Sequence, residues 1–415
     1  MYLSNSRFKR RAGLSVLYFI QGIPQGLIYF ALLDWLTSVG FGISDIAIVM
    51  SLASFPWTFK ILIGPFIDTL KSSKMGKRKP WIFFSLLASS LVFFISSNYI
   101  SNELSALSIG LCLFTVILFT SILDVATDAL AIDTLSKDER GISNGLMWAS
   151  RTIGVSSAAV FASFTINEIG LKETFLFFGF LNLFFSLFIL LIRENNDNQL
   201  LSFKFSNKIK FSYYKKTIID LYNMSKTPIF ILLMGFCLLS NISFGMHYVS
   251  ISNLYIVSNN WDNSNLTDIR SFGLYIGAAV AIVGGYLSDR INPYRVIIIS
   301  QIMIAFVFLL IAFFENSISN FYIGSVIIIV ISALGSFLMA ASLSLCMGFS
   351  KTTVAASQFA LLMSIRHFSR IVGEWGAGIL DYNDASLSNL YFLMFLISFL
   401  PVITIYRMKH FINKT

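Results

Sequence analysis

Charged side chains are scarce in this sequence. Asp, Glu, Lys and Arg together make up 12% of the 415 residues, whereas soluble domains carry about 25%. This shortage excludes a chain that lies mainly in water, because a water-facing surface would need more charge. Cysteine is scarce too, with three residues that all lie in apolar stretches: Cys112, Cys237 and Cys346. They exclude a disulfide framework and are expected to be free, buried thiols.

Two kinds of motif are missing as well. No Gly-x-x-x-x-Gly-Lys segment of the Walker type occurs, so ATP-driven transport by this chain is not expected. No group of His, Cys and carboxylate residues has the spacing of a metal site, and we expect neither a metal nor a cofactor. Basic residues alternate with Phe and Tyr over 204–226. A segment lying against anionic lipid explains that pattern more simply than a nucleic-acid partner.

Long apolar runs fill most of the chain. Hydrophobic residues make up 56% of it, and 42 of them are Phe. A membrane-spanning helix needs about 20 mostly apolar residues. Twelve stretches qualify, and they predict an all-α polytopic membrane protein with twelve transmembrane helices: 12–37, 45–70, 81–98, 104–135, 142–167, 173–193, 228–257, 268–289, 294–314, 319–348, 354–380 and 387–407.

The basic residues gather in alternate loops. Of the 30 Lys and Arg residues, all but six lie on the side that carries both termini. Lys172 and Arg270 are counted on the opposite side, and the other four fall within predicted spans. Loops rich in Lys and Arg face the cytoplasm. We therefore expect both termini to be cytoplasmic.

An internal repeat divides the chain. Asp68 and Asp289 end the second and eighth stretches and are 221 positions apart, while Arg151 and Arg370 are 219 apart. Two pairs at nearly one offset indicate a duplication. The sequence thus predicts six-helix halves at 1–193 and 228–415, joined by a polar cytoplasmic linker at 194–227. Two parallel six-helix halves are the plan of the major facilitator fold.

A carboxylate beside a basic turn follows the second stretch. A carboxylate at a helix end can bind the N-terminus of a neighbouring helix and act as a latch that opens during transport. The alternative is that the basic residues only fix the topology. The predicted latch consists of Asp68, Gly76, Lys77 and Arg78, with Asp289 and Arg290 as its counterpart in the second half.

Two aspartates lie inside the fourth stretch. Asp124 and Asp128 are four residues apart and so share one helix face. Ionisable groups within a span are costly and are presumed functional. Because two nearby carboxylates need not both be ionised, the pair suits a proton carrier. Glu374 is a second candidate carrier, and Asp133 is expected to be a latch at the helix end. The alternative is a salt bridge from Asp124 to Lys60 or Arg151 that only holds the helices together.

Four cations also fall within predicted spans. The cations near mid-span are Lys60, Arg151, Arg366 and Arg370. They slightly outnumber the three mid-span carboxylates, Asp124, Asp128 and Glu374, which favours a substrate with a carboxylate or phosphate group. Arg370 and Glu374 form an i,i+4 pair. Lys60 is suited either to a substrate anion or to Asp124.

Several segments carry a family resemblance: QGIPQG (21–26), FPWTFK (55–60), GPFID (64–68), GKRKPW (76–81), DVATDALAID (124–133), ERG (139–141) and NG (144–145). Together they resemble the signatures of the peptide–acetyl-CoA–drug transporter branch of the major facilitator superfamily, in particular AmpG-like muropeptide permeases. The resemblance is dense over 18–155 and thin in the second half.

The resemblance implies a secondary transporter of the bacterial inner membrane that works by alternating access. It implies a proton symporter that imports a small-molecule substrate, a sugar–peptide fragment of cell wall, and acts as a monomer in the lipid bilayer. It also implies substrate contacts from Gln21 and Gln25. Folate–biopterin transporters share part of the pattern, so folates, like acetyl-CoA, remain open as substrates.

A membrane-embedded prenyltransferase is the alternative from another class. Such enzymes bind Mg²⁺ and diphosphate with Asp-rich helices, which Asp124, Asp128 and Asp133 superficially resemble. They need a second Asp-rich cluster on the same side, and Asp381 and Asp384 fall near the opposite surface. We therefore expect a transporter and no enzyme.

Overall fold

The computed structural model describes residues 6–69, 74–100, 105–135, 140–194, 198–202, 211–349, 355–383 and 385–412. Within these ranges the chain is built from α-helices. Ten helices are long and apolar enough to cross a membrane. They are α1 (Arg7–Ser38), α2 (Ile43–Ile67), α3 (Lys79–Ser96), α4 (Ala106–Thr134), α6 (Leu171–Leu190), α7 (Pro228–Val257), α8 (Asn263–Arg290), α9 (Pro293–Phe314), α10 (Phe321–Gly348) and α12 (Leu387–His410).

Two further helices have the length of a span. They are α5 (Arg140–Glu168) and α11 (Ala355–Tyr382), and they carry charged residues near their centres. The all-α membrane fold is confirmed by the ten spans, and the count of twelve remains a prediction. A shorter helix, the linker helix Phe211–Ser225, lies inside the predicted polar linker. The division of the chain at 194–227 also remains a prediction.

Local signals set several helix starts. The Ser105 and Ser386 hydroxyls accept hydrogen bonds from the backbone N–H groups of Ser108 and Asn389, as N-cap residues do. Pro228 begins α7 and Pro293 begins α9. Proline is tolerated there because the first N–H groups of a helix have no partner within it.

Irregular turns interrupt three of the helices. α1 contains a π-helical segment at Leu27–Ala31, and α7 contains one at Asn253–Val257. α2 passes through a 3₁₀ turn at Phe55–Phe59, and α7 is broken at residues 240–241. Such irregular turns often accompany functional sites.

Helix packing repeats after a shift of six helices. In the first half α1 packs on α5, α2 on α4, and α3 on α6; in the second half α7 packs on α11, α8 on α10, and α9 on α12. Between the halves, α2 packs on α11 and α5 packs on α8. A shift of six helices turns the contact of α2 with α11 into that of α8 with α5. The arrangement therefore supports the predicted duplication.

Glycines permit the closest crossings. A Cβ atom at Gly22 would overlap the carbonyl oxygen of Arg151, where α1 crosses α5. In the second half a Cβ atom at Gly245 would overlap the carbonyl oxygen of Arg370, where α7 crosses α11. Small residues let helix backbones approach closely in membranes. These crossings therefore place the two arginines equivalently in the two halves.

Candidate functional site

A cavity of about 380 Å³ lies between the two halves. Its walls come from α1, α2, α4 and α5 in the first half and from α7, α8, α10 and α11 in the second. The predicted site residues that line it are Gln25, Lys60, Asp124, Asp128, Arg151, Arg366 and Arg370. Most of the charged groups that the sequence placed inside spans are thus brought to one space.

Asp124 is held between two cations. Lys60 Nζ donates to its Oδ2 atom, and Arg151 Nη1 lies 4.0 Å from its Oδ1 atom. Asp124 and Lys60 are 1% and 5% exposed, so this is a buried ion pair. Arg151 also donates to Gln25 Oε1 at 2.8 Å. Lys60 therefore pairs with Asp124, one of its two predicted partners, and also lines the cavity, where a substrate anion could reach it.

Asp128 lies one turn further along α4 and lines the same cavity. Its Oδ1 atom accepts a hydrogen bond from the Tyr18 hydroxyl of α1. Unlike Asp124, it has no cation within 4 Å among the residues that the structure describes. The two aspartates share a helix face but have different partners.

Aromatic rings form the centre of the first-half wall. Trp57 lies in the 3₁₀ turn of α2 and stacks on His367 of α11, with ring centroids 5.2 Å apart. Lys60 and Arg151 lie 4.7 and 5.3 Å from the centroid of the Trp57 ring, close enough for cation–π attraction. The Trp57 indole N–H donates to the Tyr29 hydroxyl at 2.9 Å. The Trp57 ring thus joins two cations of the first half to α11 of the second half.

Arg370 and Glu374 form the expected pair on α11. Arg370 Nε donates to Glu374 Oε1 at 2.7 Å, and Ser54 of α2 donates to the same atom at 3.1 Å. The Arg370 guanidinium also lies against the rings of Tyr29 and Tyr248, at 4.8 and 4.0 Å. Glu374 is fully buried behind Arg370 and does not line the cavity.

Gln21 does not line the cavity. It is fully buried, and neither polar atom of its side chain has a hydrogen-bond partner among the described residues. Its position one turn before Gln25 places it behind the wall in this conformation. The predicted substrate contact from Gln21 therefore stays a prediction, and only Gln25 faces the cavity.

A second buried charge cluster was not found from the sequence. Asp34 of α1 accepts from Arg270 of α8 at 2.5 Å, from Ser252 of α7 at 2.6 Å and from Thr267 of α8 at 2.6 Å. All three partners lie in the other half. We call these four residues the far-side lock, because they lie where α1 approaches the side of the molecule opposite the N-terminus.

The far-side lock corrects one expectation. Arg270 was counted as a loop cation, but α8 begins at Asn263 and Arg270 is buried, 4% exposed. The signal was present, since Asp34 is also a carboxylate within an apolar stretch. On the same side, Asp381 of α11 accepts from the Ser44 backbone N–H at 3.1 Å, at the N-terminus of α2. The two halves are thus bound together on that side.

The predicted latch residues lie at the N-terminal side. Arg78 and Lys77 contact Asp133 at the end of α4, at 2.9 and 3.4 Å. Glu194 accepts from the backbone N–H groups of Lys77, Arg78 and Lys79, at 2.9, 2.7 and 2.6 Å. The carboxylate at the N-terminus of α3 is thus Glu194, which was not predicted from the sequence.

The remaining latch residues add less. Gly76 adopts a positive φ of 123°, which glycine tolerates, and a Cβ atom there would collide with Glu194. Arg290 is exposed and lies 5.0 Å from the ring of Tyr286. The side chains of Asp68 and Asp289 lie outside the described part of the structure. The latch role of the whole set stays a prediction.

Known proteins match this arrangement. A family profile described as Major Facilitator Superfamily matches residues 14–374. The chain belongs to the Major Facilitator Superfamily. It is therefore a membrane transporter and not an enzyme, which excludes the prenyltransferase alternative.

The individual proteins that resemble this chain share low sequence identity with it. A Rickettsia typhi protein named "Putative transporter AmpG 3" is 26% identical over 430 residues, covering 97% of each chain. The protein of the same name from Rickettsia prowazekii is 26% identical over 428 residues, again covering 97% of each. The crystal structure of a point mutant of the nucleoside transporter NupG superimposes with a TM-score of 0.69 at 13% identity, covering 96% of this chain and 99% of that one. That likeness shows the shared fold.

Proposed function

We propose that this chain is a proton-coupled secondary transporter that carries an anionic solute through the central cavity. The observation that carries the proposal is the charge of the cavity wall. Five cations line it against two carboxylates: Lys60, Arg151, Arg270, Arg366 and Arg370 against Asp124 and Asp128. Asp34 and Glu374 lie behind the wall and pair with Arg270 and Arg370, which leaves one positive charge in excess. Such a wall attracts a carboxylate or phosphate group and repels a cation.

The neutral part of the wall favours a solute whose rings have an apolar face and polar edges, as sugar rings do. Trp57, Trp148, Tyr29 and Tyr248 line the cavity together with apolar residues of α10. Aromatic side chains offer an apolar face for stacking and polar edges for hydrogen bonds. Together with the motif resemblance and the names of the Rickettsia relatives, this composition supports a sugar–peptide fragment of cell wall as the substrate.

Alternating access follows from the placement of the contacts. The far-side lock binds the two halves on the side opposite the N-terminus. The cavity extends from there towards the N-terminal side, where Tyr18, Asp128 and Phe359 line it. For the solute to move across the membrane, the far-side lock must open while contacts on the N-terminal side form. Two rocking halves provide such a change.

Asp124 supplies a reason for proton coupling. While it is ionised it neutralises Lys60 and lies near Arg151. When it takes up a proton, both cations become available to an anion of the solute. Loss of the proton then favours release of the solute, because the carboxylate competes again for the same cations. Asp128, bound by Tyr18, is positioned to pass a proton to or from Asp124.

Uptake into proteoliposomes tests the proposal. The purified chain should transport a labelled, negatively charged muropeptide better than acetyl-CoA or folates, and a pH gradient should stimulate it. Arg151→Gln should weaken transport of the charged substrate roughly ten- to a hundredfold, as expected for a lost charge-assisted hydrogen bond. A neutral analogue should be affected less.

The matched control is Lys172→Gln, which removes an exposed cation outside the cavity and should change neither substrate. Equal losses for charged and neutral substrates in Arg151→Gln would indicate a structural ion pair. No uptake of any anionic substrate by the unmodified chain would refute the proposal.

A further inference from the structure

Arg366 differs from the other cations of the cavity. Lys60 and Arg151 adjoin Asp124, Arg270 binds Asp34, and Arg370 binds Glu374. Arg366 has no carboxylate within 4 Å among the described residues. It is 5% exposed, and its Nε and Nη1 groups have no hydrogen-bond partner there. Arg366 is therefore a buried cation whose counter-ion the described chain does not supply.

The break in α7 lies next to this guanidinium. Arg366 Nη2 is 3.5 Å from the Asn241 side-chain oxygen, and the Asn241 amide is 3.5 Å from the Arg366 carbonyl. Asn241 directly precedes the half-helix Ile242–Ser252, and its side chain caps no N–H group of that helix. The half-helix has 11 residues, so its first turn presents several N–H groups that a continuous helix would satisfy.

The backbone groups on the two sides of the break have different hydrogen-bond partners. The Ser240 carbonyl accepts from Gln301 of α9 at 3.5 Å, and the Asn241 N–H donates to the Ser369 hydroxyl at 3.2 Å. Asn241 and Phe244, at the start of the half-helix, line the cavity together with Arg366. The positive end of the half-helix and the guanidinium thus lie at the same wall, and no carboxylate of the described residues lies within 4 Å of Arg366. A helix N-terminus beside an arginine is a favourable site for a carboxylate or phosphate.

We propose that Arg366 and the first turn of the half-helix Ile242–Ser252 form a permanent anion subsite for a carboxylate or phosphate group of the solute. This deepens the proposed function, because it adds a second anchoring point in the other half of the molecule. The subsite differs from the Lys60–Asp124–Arg151 cluster because it has no carboxylate that competes with the solute. Its affinity should therefore not depend on whether Asp124 carries a proton.

Binding to the purified full-length chain in nanodiscs tests the subsite. The probes are N-acetylmuramic acid, which carries a carboxylate, N-acetylglucosamine, which does not, and inorganic phosphate. We expect the first and third to raise the thermal unfolding midpoint saturably, and N-acetylglucosamine to have little effect. A response to phosphate alone would assign the subsite to phosphate groups, and a response to N-acetylmuramic acid alone would assign it to carboxylates. Arg366→Gln should raise the anion concentration that gives half of the maximal midpoint shift roughly ten- to a hundredfold.

A second variant keeps the test independent of that arginine. Asn241→Asp places a carboxylate of the chain itself beside Arg366. It should raise the unfolding midpoint without any ligand and abolish the response to added anions. Lys172→Gln is the control, because it removes an exposed cation outside the cavity and should change neither the midpoint nor the response to added anions.

The outcomes separate the two proposals. The subsite is refuted if anions stabilise Arg366→Gln as strongly as the unmodified chain, or if Asn241→Asp lowers the midpoint and still responds. Normal muropeptide uptake by Arg366→Gln would refute the subsite and leave the proposed function intact. Anion binding at Arg366 without uptake of any muropeptide would refute the proposed substrate and leave the subsite intact.

Discussion

Two pairs of buried charged residues join different helices of this molecule. Lys60 of α2 binds Asp124 of α4, and Arg270 of α8 binds Asp34 of α1. A buried ion pair contributes modestly to stability as a pair, but removal of one partner leaves an uncompensated charge and costs far more. Each pair can therefore separate at low cost only if another charged residue, a proton or a ligand replaces the lost partner.

The far-side lock gives a prediction at this scale. Asp34→Asn should destabilise the protein by about 3–5 kcal/mol, because Arg270 is left buried without its carboxylate. The double variant Asp34→Asn/Arg270→Gln should recover much of that loss. Thermal unfolding in nanodiscs measures both. If the double variant lost as much as the two single changes together, the two residues would not be coupled and the lock would be a wrong interpretation.

Residue patterns predicted part of the site. Arg370–Glu374 is local, four residues apart, and Lys60 and Asp124 stood out as charges within apolar stretches. The pairing of Asp34 with Arg270 joins positions 236 apart. Nothing in the local sequence encodes that contact, and the later predicted start of α8 placed Arg270 at a span end. Long-range pairs of this kind become visible only when the helices are packed.

At the scale of the helices, two crossings and one break define the cavity. The crossings of α1 with α5 and of α7 with α11 are close because glycines face backbone carbonyls. The break at residues 240–241 contains no proline or glycine, and its local signal is the pair Ser240 and Asn241, residue types that favour helix N-caps over helix interiors. The spans themselves were predicted within a few residues for most helices, because about twenty apolar residues are a strong signal.

The crossing of α7 with α11 can be tested with two glycines of one helix. Gly373→Ala should lower stability by about 1–3 kcal/mol, since the added methyl group would overlap the carbonyl oxygen of Ile242. Gly376→Ala is the control three residues later, where a Cβ atom meets no other atom within 4 Å. It should leave the unfolding midpoint unchanged or raised. Equal midpoints for the two variants would contradict the close crossing.

At the scale of the whole molecule, the halves meet along α2 with α11 and along α5 with α8, and the far-side lock binds them on one side. The cavity between them brings together residues that are distant in the sequence. Which side faces the cytoplasm rests on the loop charges and stays a prediction. The proposed cycle requires only that the halves change partners around the cavity while Asp124 gains and loses a proton.

The central claim is that Asp124 couples protons to an anionic solute, and one comparison tests it most directly. Proteoliposomes with a pH gradient should accumulate a labelled muropeptide above its external concentration. Asp124→Asn should abolish this accumulation, because Asn cannot take up the proton. Exchange of labelled for unlabelled solute without a gradient should persist, because it needs no net movement of protons. Accumulation that persists in both Asp124→Asn and Asp128→Asn, or that ignores the pH gradient in the unmodified chain, would contradict the account.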